Sequence, residues 1–247
     1  MSLELLVLGS GSPYAHPRRA SSAYLVRAGD RRLLVDAGGG TLLRLGEQRV
    51  DPGVLDAVLL THTHIDHSGG LPAVVFAAVM GGGARPLRLL GPAGRGIHPG
   101  VERFAGLLFG EHGAWSYLRT FDGFGVAARE LPSDPDDPAL TSVEEGISSV
   151  AVGHGMMPSV AYRLGHGGGS VAIGGDPESY QPQLVELARG CDVLVHDFAL
   201  PERETEHGHL HADPSDAGRV AAEAGVGLLV LTHVFPEHED ELDASLA

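Results

Sequence analysis

Residues 61–70 read THTHIDHSGG, and four side chains able to bind a metal, His62, His64, Asp66 and His67, fall within six positions. Neutral imidazole suits zinc, and carboxylate oxygen supplements it. Four ligands this close together cannot all reach one tetrahedral ion without strain. They can divide between two ions, His62 and His64 facing one, Asp66 and His67 facing the other. Each ion then needs distant partners, and His154, Asp176 and His233 have the right chemistry. A carboxylate such as Asp176 can bridge two metals, and a pair about 3.5–4 Å apart holds and activates a hydroxide between them. A plain histidine-rich turn is the bland alternative. A structural zinc site would more often use cysteines, and the chain has one, Cys191.

Positioning such a set requires elements that end at one edge. Short apolar runs recur, each stopped by Gly, Pro, Asp or His. A strand is predicted over residues 3–8, a hairpin turning at Gly29-Asp30, a short helix in TLLRLGEQ and a strand over 56–60 running into the motif. GGLPAVVFAAVMGGG reads as a helix with Pro72 in its first turn and glycines after its end. PLRLLGP reads as a strand, RGIHPGVERFAGLLFG as partly helical, and 110–140 as a possible strand with a Pro/Asp loop. ISSVAVGH, SVAYRLG, SVAIGGD, CDVLVHD and VGLLVLTH read as strands, YQPQLVELARG and DPSDAGRVAAEAG as helices. Six strands end in ligand-capable residues: LLVD, VLLTH, VAVGH, AIGGD, VLVHD and LVLTH. They place Asp36, His62, His154, Asp176, His196, Asp197 and His233 together, at the carboxyl ends of strands, where sites assemble in layered α/β folds. Strands that dominate first and then alternate with helices, in two similar halves, suggest packed sheets with helices outside.

Composition narrows the function. The chain has 247 residues, 43% hydrophobic and 20% charged, enough for one large or two small cores. No linker or low-complexity tract divides it, so residues 1–247 are expected to form a single domain. No apolar stretch is long enough to span a membrane, LELLVL reads as a strand rather than a signal peptide, and a cytoplasmic location is expected. Cys191 excludes an internal disulfide and reads as a buried apolar thiol. The 32 acidic against 17 basic residues give −15 with neutral histidines. A general nucleic-acid binder shows a basic surface instead, so duplex nucleic acid is not an expected partner.

The motifs together resemble a metallo-β-lactamase-fold hydrolase, on its ribonuclease Z-like and phosphodiesterase-like side. The resemblance covers nearly the whole chain, through LGSGSP, LLVDAGGGTLLRL, THTHIDHSGGLP, GPAG, VGHGMMPSVAYRL, GGDP and LVLTH. It implies a four-layer αββα sandwich with the site on its open edge. By position it implies His62, His64 and His154 on a first metal, Asp66, His67 and His233 on a second, and Asp176 between them. Asp36 would brace the motif loop through hydrogen bonds. Diiron relatives carry glutamate where this chain has His64, so two zinc ions are expected, with Mn2+ as the alternative. LVHDFAL resembles the HEA turn of ribonuclease Z-like enzymes, with Asp197 where they carry glutamate. HLHADPSDAGRVAAEAG resembles their H-[ST]-T segment, with His211 at the histidine. In those enzymes the carboxylate orients the histidine and the histidine helps the leaving oxygen, so Asp197 and His211 join Asp66 as catalytic candidates. His207 and His209 read as surface residues. His16, His98, His112, His166 and His238 carry no assigned role, and His196 packs at its strand end.

The departures matter too. True ribonuclease Z carries a long glycine- and proline-rich arm that grips transfer RNA; GGGARP is only a short turn, and residues 95–140 are too short and not basic. The leading expectation is therefore a dinuclear zinc phosphodiesterase acting on a small or nucleotide-derived phosphodiester by metal-bridged hydroxide attack. A lactone or carboxylic ester hydrolase is the second reading, and an armless ribonuclease Z-like endonuclease the third. A non-enzymatic scaffold is the least favoured, because all seven ligand positions keep a suitable residue. Relatives are often dimers, and VVFAAVM or FAGLLF could form an apolar interface, although core packing accounts for both equally well.

Overall fold

The structure, a computed structural model, describes residues 2–82, 85–198 and 211–236. Two six-stranded sheets are built from successive halves of the chain. The first takes β1 (Leu3–Gly9), β2 (Ala23–Ala28), β3 (Arg31–Val35), β4 (Ala57–Leu59), β5 (Leu87–Pro92) and β6 (Val126–Leu131) in that order. The second takes β7 (Thr141–Glu144), β8 (Ile147–Val152), β9 (Ser159–His166), β10 (Gly169–Ile173), β11 (Val193–Asp197) and β12 (Leu228–Thr232), also in chain order. Each half begins with antiparallel hairpins and continues with parallel strands: β3 to β6 in the first sheet, β10 to β12 in the second. Parallel neighbours need crossover segments, and these supply the helices.

The helices are α1 (Thr41–Glu47), α2 (Ile65–Ser68), α3 (Leu71–Met80), α4 (Val101–Phe109), α5 (Pro182–Ala188) and α6 (Pro214–Ala224). Their ends follow the expected signals. Pro72 lies in the first turn of α3 and Gly81 ends it. The Asp213 side chain accepts from the Asp216 amide to cap α6, Pro214 follows, and Gly225 ends the helix at φ 65°. The hydrophobic core has three parts, which fixes four layers. One packs α1, α3 and α4 on the outer face of the first sheet, through Leu45, Leu71, Val74 and Val101. A second lies between the sheets and joins Val26, Leu33, Val35 and Leu59 to Val160, Tyr162, Ile173 and Val195. A third seats α5 and α6 on the second sheet through Leu184, Leu187 and Val220. This is the αββα sandwich that the sequence predicts. Strands at the sheet centres are buried on both faces, which is why LLV, AVL and VLV read as continuous apolar runs.

Residues 110–140, ambiguous in the sequence, contain a 3-10 turn at Ser116–Thr120 and β6, which pairs in parallel with β5. Cys191 is free and buried, as expected. α3 buries one side and leaves Phe76 and Met80 exposed. Among the described residues no helix is long and apolar enough to cross a membrane.

Candidate metal centre and active site

Two hydrogen bonds join the sheets directly under the motif. The Tyr162 hydroxyl donates to the Leu60 carbonyl over 2.9 Å, and the Val160 amide donates to the Thr61 carbonyl over 2.9 Å. β4 ends at Leu59, the chain bends at Thr61, and after His64 it turns into α2. This short irregular run leaves His62 and His64 facing each other, with His62 Nε2 and His64 Nδ1 3.1 Å apart. The helical turn that follows swings Asp66 and His67 to a different direction, with Ile65 left outside. Ser68 secures the turn by donating to the carbonyls of His64 and Thr63 over 2.9 and 3.1 Å. The spacing H-x-H-x-D-H is therefore a short irregular run after β4 followed at once by one helical turn.

Three groups of ligand-capable side chains result, each with its ligand atoms within 4.8 Å of one another: His62, His64 and His154; Asp66, His67, Asp176 and His233; Asp176, Asp197, His211 and His233. In the first, His64 Nδ1 lies 3.1 Å from His62 Nε2 and 3.2 Å from His154 Nε2. In the second, Asp176 Oδ2 lies 3.1 Å from both His67 Nε2 and His233 Nε2, and Asp66 Oδ2 lies 3.1 Å from His233 Nε2. His62 Nε2 stands 3.9 Å from Asp176 Oδ2, so Asp176 touches both groups. Ligands at about 2.0–2.1 Å around a tetrahedral zinc stand about 3.3 Å apart, and these contacts match. His67 Nε2 is buried without an aligned hydrogen bond even though carboxylate oxygens surround it. A lone pair aimed into such a space suits a cation. These residues fit a divalent metal.

Outer contacts fix the ring orientations. Asp36 follows β3 with a left-handed backbone, φ 57°, and His233 follows β12 at φ 64°. Asp and His tolerate this region better than most residues, and such outliers gather at functional sites. The Asp36 carboxylate accepts from the Thr61 amide at 2.7 Å, from the Thr61 hydroxyl at 2.9 Å and from His67 Nδ1 at 2.8 Å. His67 is thereby held with Nε2 toward Asp66 and Asp176. The Thr61 hydroxyl, which donates to Asp36, lies 3.1 Å from His62 Nδ1 and so accepts from it, directing His62 Nε2 to the first group. On the far side, the Gln181 amide grips the Gly153 peptide at both ends, over 2.7 and 2.8 Å, and Glu178 accepts from the Gly155 amide over 2.7 Å. These bonds lock the loop that carries His154. Gly38 passes so close to the motif that a Cβ there would lie 2.0 Å from the Asp66 carbonyl oxygen.

The electrostatics divide the cluster. Burial, reinforced by the neighbouring His67, holds His62 well below the ordinary imidazole range, and burial lowers His64 as well. Burial is the largest single influence on His67 and His233 and lowers both, but the Asp176 charge and further carboxylate contacts together outweigh it. Asp176 with Asp36 raises His67 well above that range, and Asp176 with Asp66 raises His233 to about 9. Asp176 is held well below the carboxylate range because His233 and His67 together overcome its burial. Burial pushes Asp36 up.

Asp197 and His211 lie beside this cluster. His211 Nδ1 donates to Asp197 Oδ2 over 2.8 Å, and the His211 ring stacks on His233 with centroids 5.0 Å apart. Asp197 is fully buried at the end of β11, and burial raises its pKa. His211 sits two residues before the α6 cap, on the buried Ala212. His196 is buried too, with Nδ1 on the Asp197 carbonyl at 3.0 Å. His16 is a loop brace, its Nδ1 accepting from the amides of Arg18 and Arg19. His207, His209 and His238 lie outside the described residues. The structure thus brings all seven predicted ligand residues and the Asp197–His211 pair to one edge.

Sequence reasoning missed Thr61 and Gln181. A signal for Thr61 existed, because the dipeptide Thr-His closes the apolar runs of both β4 and β12: LLTH and LVLTH. The Thr232 hydroxyl likewise lies in a polar contact, accepting from Tyr24 over 3.0 Å. Nothing local marks Gln181, whose partner is 28 residues away.

Comparison with known proteins is consistent across sequence and fold. A family model described as beta-lactamase superfamily domain matches residues 31–234. A ribonuclease Z from Mycolicibacterium gilvum (strain PYR-GCK) is 32% identical over 258 residues, covering 95% of this chain and 85% of the relative. Among solved structures, the metallo-beta-lactamase fold protein YhfI from Bacillus subtilis matches with a TM-score of 0.72 at 27% identity, covering 98% of this chain and 91% of that one. The short form of human tRNase Z matches with a TM-score of 0.78 at 23% identity, over 95% of this chain and 94% of that one, a likeness of fold alone.

Proposed function

The chain belongs to the beta-lactamase superfamily, on its ribonuclease Z-like branch, and is a metal-dependent phosphodiester hydrolase; from that premise we propose that it binds two zinc ions and hydrolyses a small or nucleotide-derived phosphodiester. In this reading His62, His64 and His154 hold one ion, Asp66, His67 and His233 the other, and Asp176 is shared. When bound, such a pair supplies Lewis-acid charge at the phosphoryl oxygens and acidifies water near neutral pH. The protein's own groups do the rest. Asp36 and Thr61 keep His67 and His62 in the ligating tautomers. Asp66 serves as ligand and as the carboxylate that takes the proton of the attacking water. Asp197 holds His211 through Nδ1, so that Nε2 meets the departing oxygen and gives it a proton.

The observation that carries this reading is the 2.8 Å bond between Asp197 and His211, beside a cluster that does not need His211 as a ligand. A hydrolase that only opened an activated ester would have less use for a braced proton donor. The test is a substrate panel on zinc-loaded protein: an alkyl phosphodiester, a phosphomonoester, a lactone and a precursor tRNA. The diester should be turned over fastest. A lactone turned over faster than any diester would replace this reading.

A second reading, a ribonuclease Z-like tRNA or RNA endonuclease without the arm, draws support from the 32% identity to a ribonuclease Z across 95% of the chain. Against it stand the net charge of −15 and the form of the connections among the described residues. The β9–β10 hairpin closes in a tight turn at Gly167-Gly168, and residues 95–140 fold into α4, the 3-10 turn and β6 without a projecting arm. The precursor-tRNA arm of the panel decides between the two.

A further inference from the structure

Tyr14 lies in the loop after β1 with 58% of its surface exposed. Its ring packs on Phe235 with centroids 5.2 Å apart and planes tilted by 48°. Phe235 in turn stands 5.7 Å from the His233 ring and 6.4 Å from the His211 ring. A line of aromatic faces therefore runs from solvent to the metal cluster and the proton donor. The loop is not free to drift from that line. The Ser12 amide donates to the Val234 carbonyl over 3.3 Å, and the Val234 amide donates back to the Ser10 carbonyl over 2.9 Å. The Gly11 amide donates to the Ala20 carbonyl over 2.8 Å and closes the base of the loop. His16 Nδ1, accepting from two amides, stiffens its far end. Tyr14 is thus fixed to the same residue run, 233–235, that carries His233 and Phe235.

We propose that Tyr14 and Phe235 form a stacking platform for the nucleobase of the substrate, separated by one sugar from the phosphate held at the metal cluster. The placement of the phosphate rests on the phosphodiesterase reading above. A tyrosine serving only to anchor the loop would be buried; this one keeps more than half of its surface exposed, and its partner Phe235 lies against the His233 and His211 rings. Every base has a π face, so an aromatic shelf accepts any of them without hydrogen-bond readout. The spacing from Tyr14 through Phe235 to His211 suits a sugar between base and phosphate. The acidic exterior adds a further reason: this surface offers little charge attraction to a polyanion, so stacking supplies affinity that the backbone phosphates would otherwise provide.

The test measures binding and turnover separately. Zinc-loaded wild type, Tyr14→Ala and Tyr14→Phe are titrated by calorimetry with inorganic phosphate, adenosine 5′-monophosphate and a short oligoadenylate. The platform predicts that the wild type binds the monophosphate at least about 5-fold more tightly than phosphate, the lower end of one base on one ring. Tyr14→Ala should lose that preference while binding phosphate unchanged, and Tyr14→Phe should keep it. Oligoadenylate binding above the monophosphate assigns the base to RNA, and equal binding assigns it to a free nucleotide. No preference for adenine in the wild type, or a preference that survives Tyr14→Ala, overturns the platform. In parallel, methyl and thymidine 5′ esters of p-nitrophenyl phosphate are compared as substrates. If neither is hydrolysed while a Tyr14-dependent adenine preference persists, the platform stands and the phosphodiesterase reading falls. If both are hydrolysed at rates that Tyr14→Ala leaves unchanged, and adenine adds nothing to binding, the platform falls and the hydrolase reading stands.

Discussion

Asp197 and His211 are joined by a 2.8 Å hydrogen bond from the imidazole Nδ1 to a buried carboxylate, across a stretch of 14 residues. If the pair acts as one unit, each alanine substitution should leave the zinc content intact and lower turnover of an alkyl phosphodiester by about 10²–10⁴-fold. The double variant should then be little worse than the poorer single one. A p-nitrophenyl leaving group hardly needs a proton, so its loss should be far smaller. Equal losses on both substrate types would mean that the pair positions substrate and transfers no proton.

Asp36 touches Thr61 and His67 but none of the space between the ligands, so its effect should appear in metal affinity. Asp36→Asn keeps a residue that tolerates the left-handed backbone while removing the charge that accepts from His67. Zinc affinity, measured by competition with a chelator, should fall about 10- to 100-fold. Thr61→Val, which removes the hydroxyl between Asp36 and His62, should weaken binding less. Unchanged affinity in both variants would remove these contacts from the account.

Two glycines give opposite expectations for the same substitution. Gly38→Ala places a methyl 2.0 Å from the Asp66 carbonyl oxygen, and backbone must move to admit it. A destabilisation of about 1–3 kcal/mol is expected, together with weakened zinc binding. Gly218 lies within α6 with open space around its Cβ position, and Gly218→Ala should stabilise by about 0.5–1 kcal/mol. Denaturant titrations of the two variants check both signs; a tolerated Gly38→Ala would show that the motif loop has slack.

The architecture was legible because each strand announces its end. Asp36, His62, His154, Asp176, Asp197 and His233 each close an apolar run of the kind that both-face burial requires, and the structure puts those ends on one edge. The division of THTHIDHSGG was legible from ligand crowding, and its physical cause is the switch from the irregular run after β4 to α2 after His64. Gln181 and the Tyr14–Phe235 contact were not legible, and Thr61 was marked only by the repeated Thr-His dipeptide. Each acts through a partner distant in sequence or through a loop whose shape no periodicity encodes. β6 was ambiguous because its residues alternate between half-buried and exposed, as suits an edge strand, and its partner β5 lies across α4.

The cluster also predicts opposite pH trends with and without metal. In metal-free protein His67 is raised well above 6.5 and His233 to about 9. Groups raised on folding contribute stability that is fully present below the unfolded value near 6.5 and lost as pH climbs through the folded value, so metal-free stability should decline between about pH 6.5 and 9. Zinc needs neutral imidazoles and displaces those same protons, so its stabilising effect should grow across that window. Thermal melts with zinc and with chelator, taken at intervals of pH, give the difference. A gap that stays constant or narrows toward pH 9 would contradict the assignment of His67 and His233 as ligands.

The most direct measurement is zinc content against diester hydrolysis in wild type and Asp176→Ala. Protein stripped with chelator and reloaded stepwise should gain activity in proportion to bound zinc and level off at about two equivalents per chain, the pair geometry of a two-metal hydrolase. Asp176 lies 3.1 Å from His67 and His233 and 3.9 Å from His62, so Asp176→Ala should lower occupancy of both positions and abolish turnover. Full diester hydrolysis at a single bound equivalent, with the second adding nothing, would contradict the two-metal account.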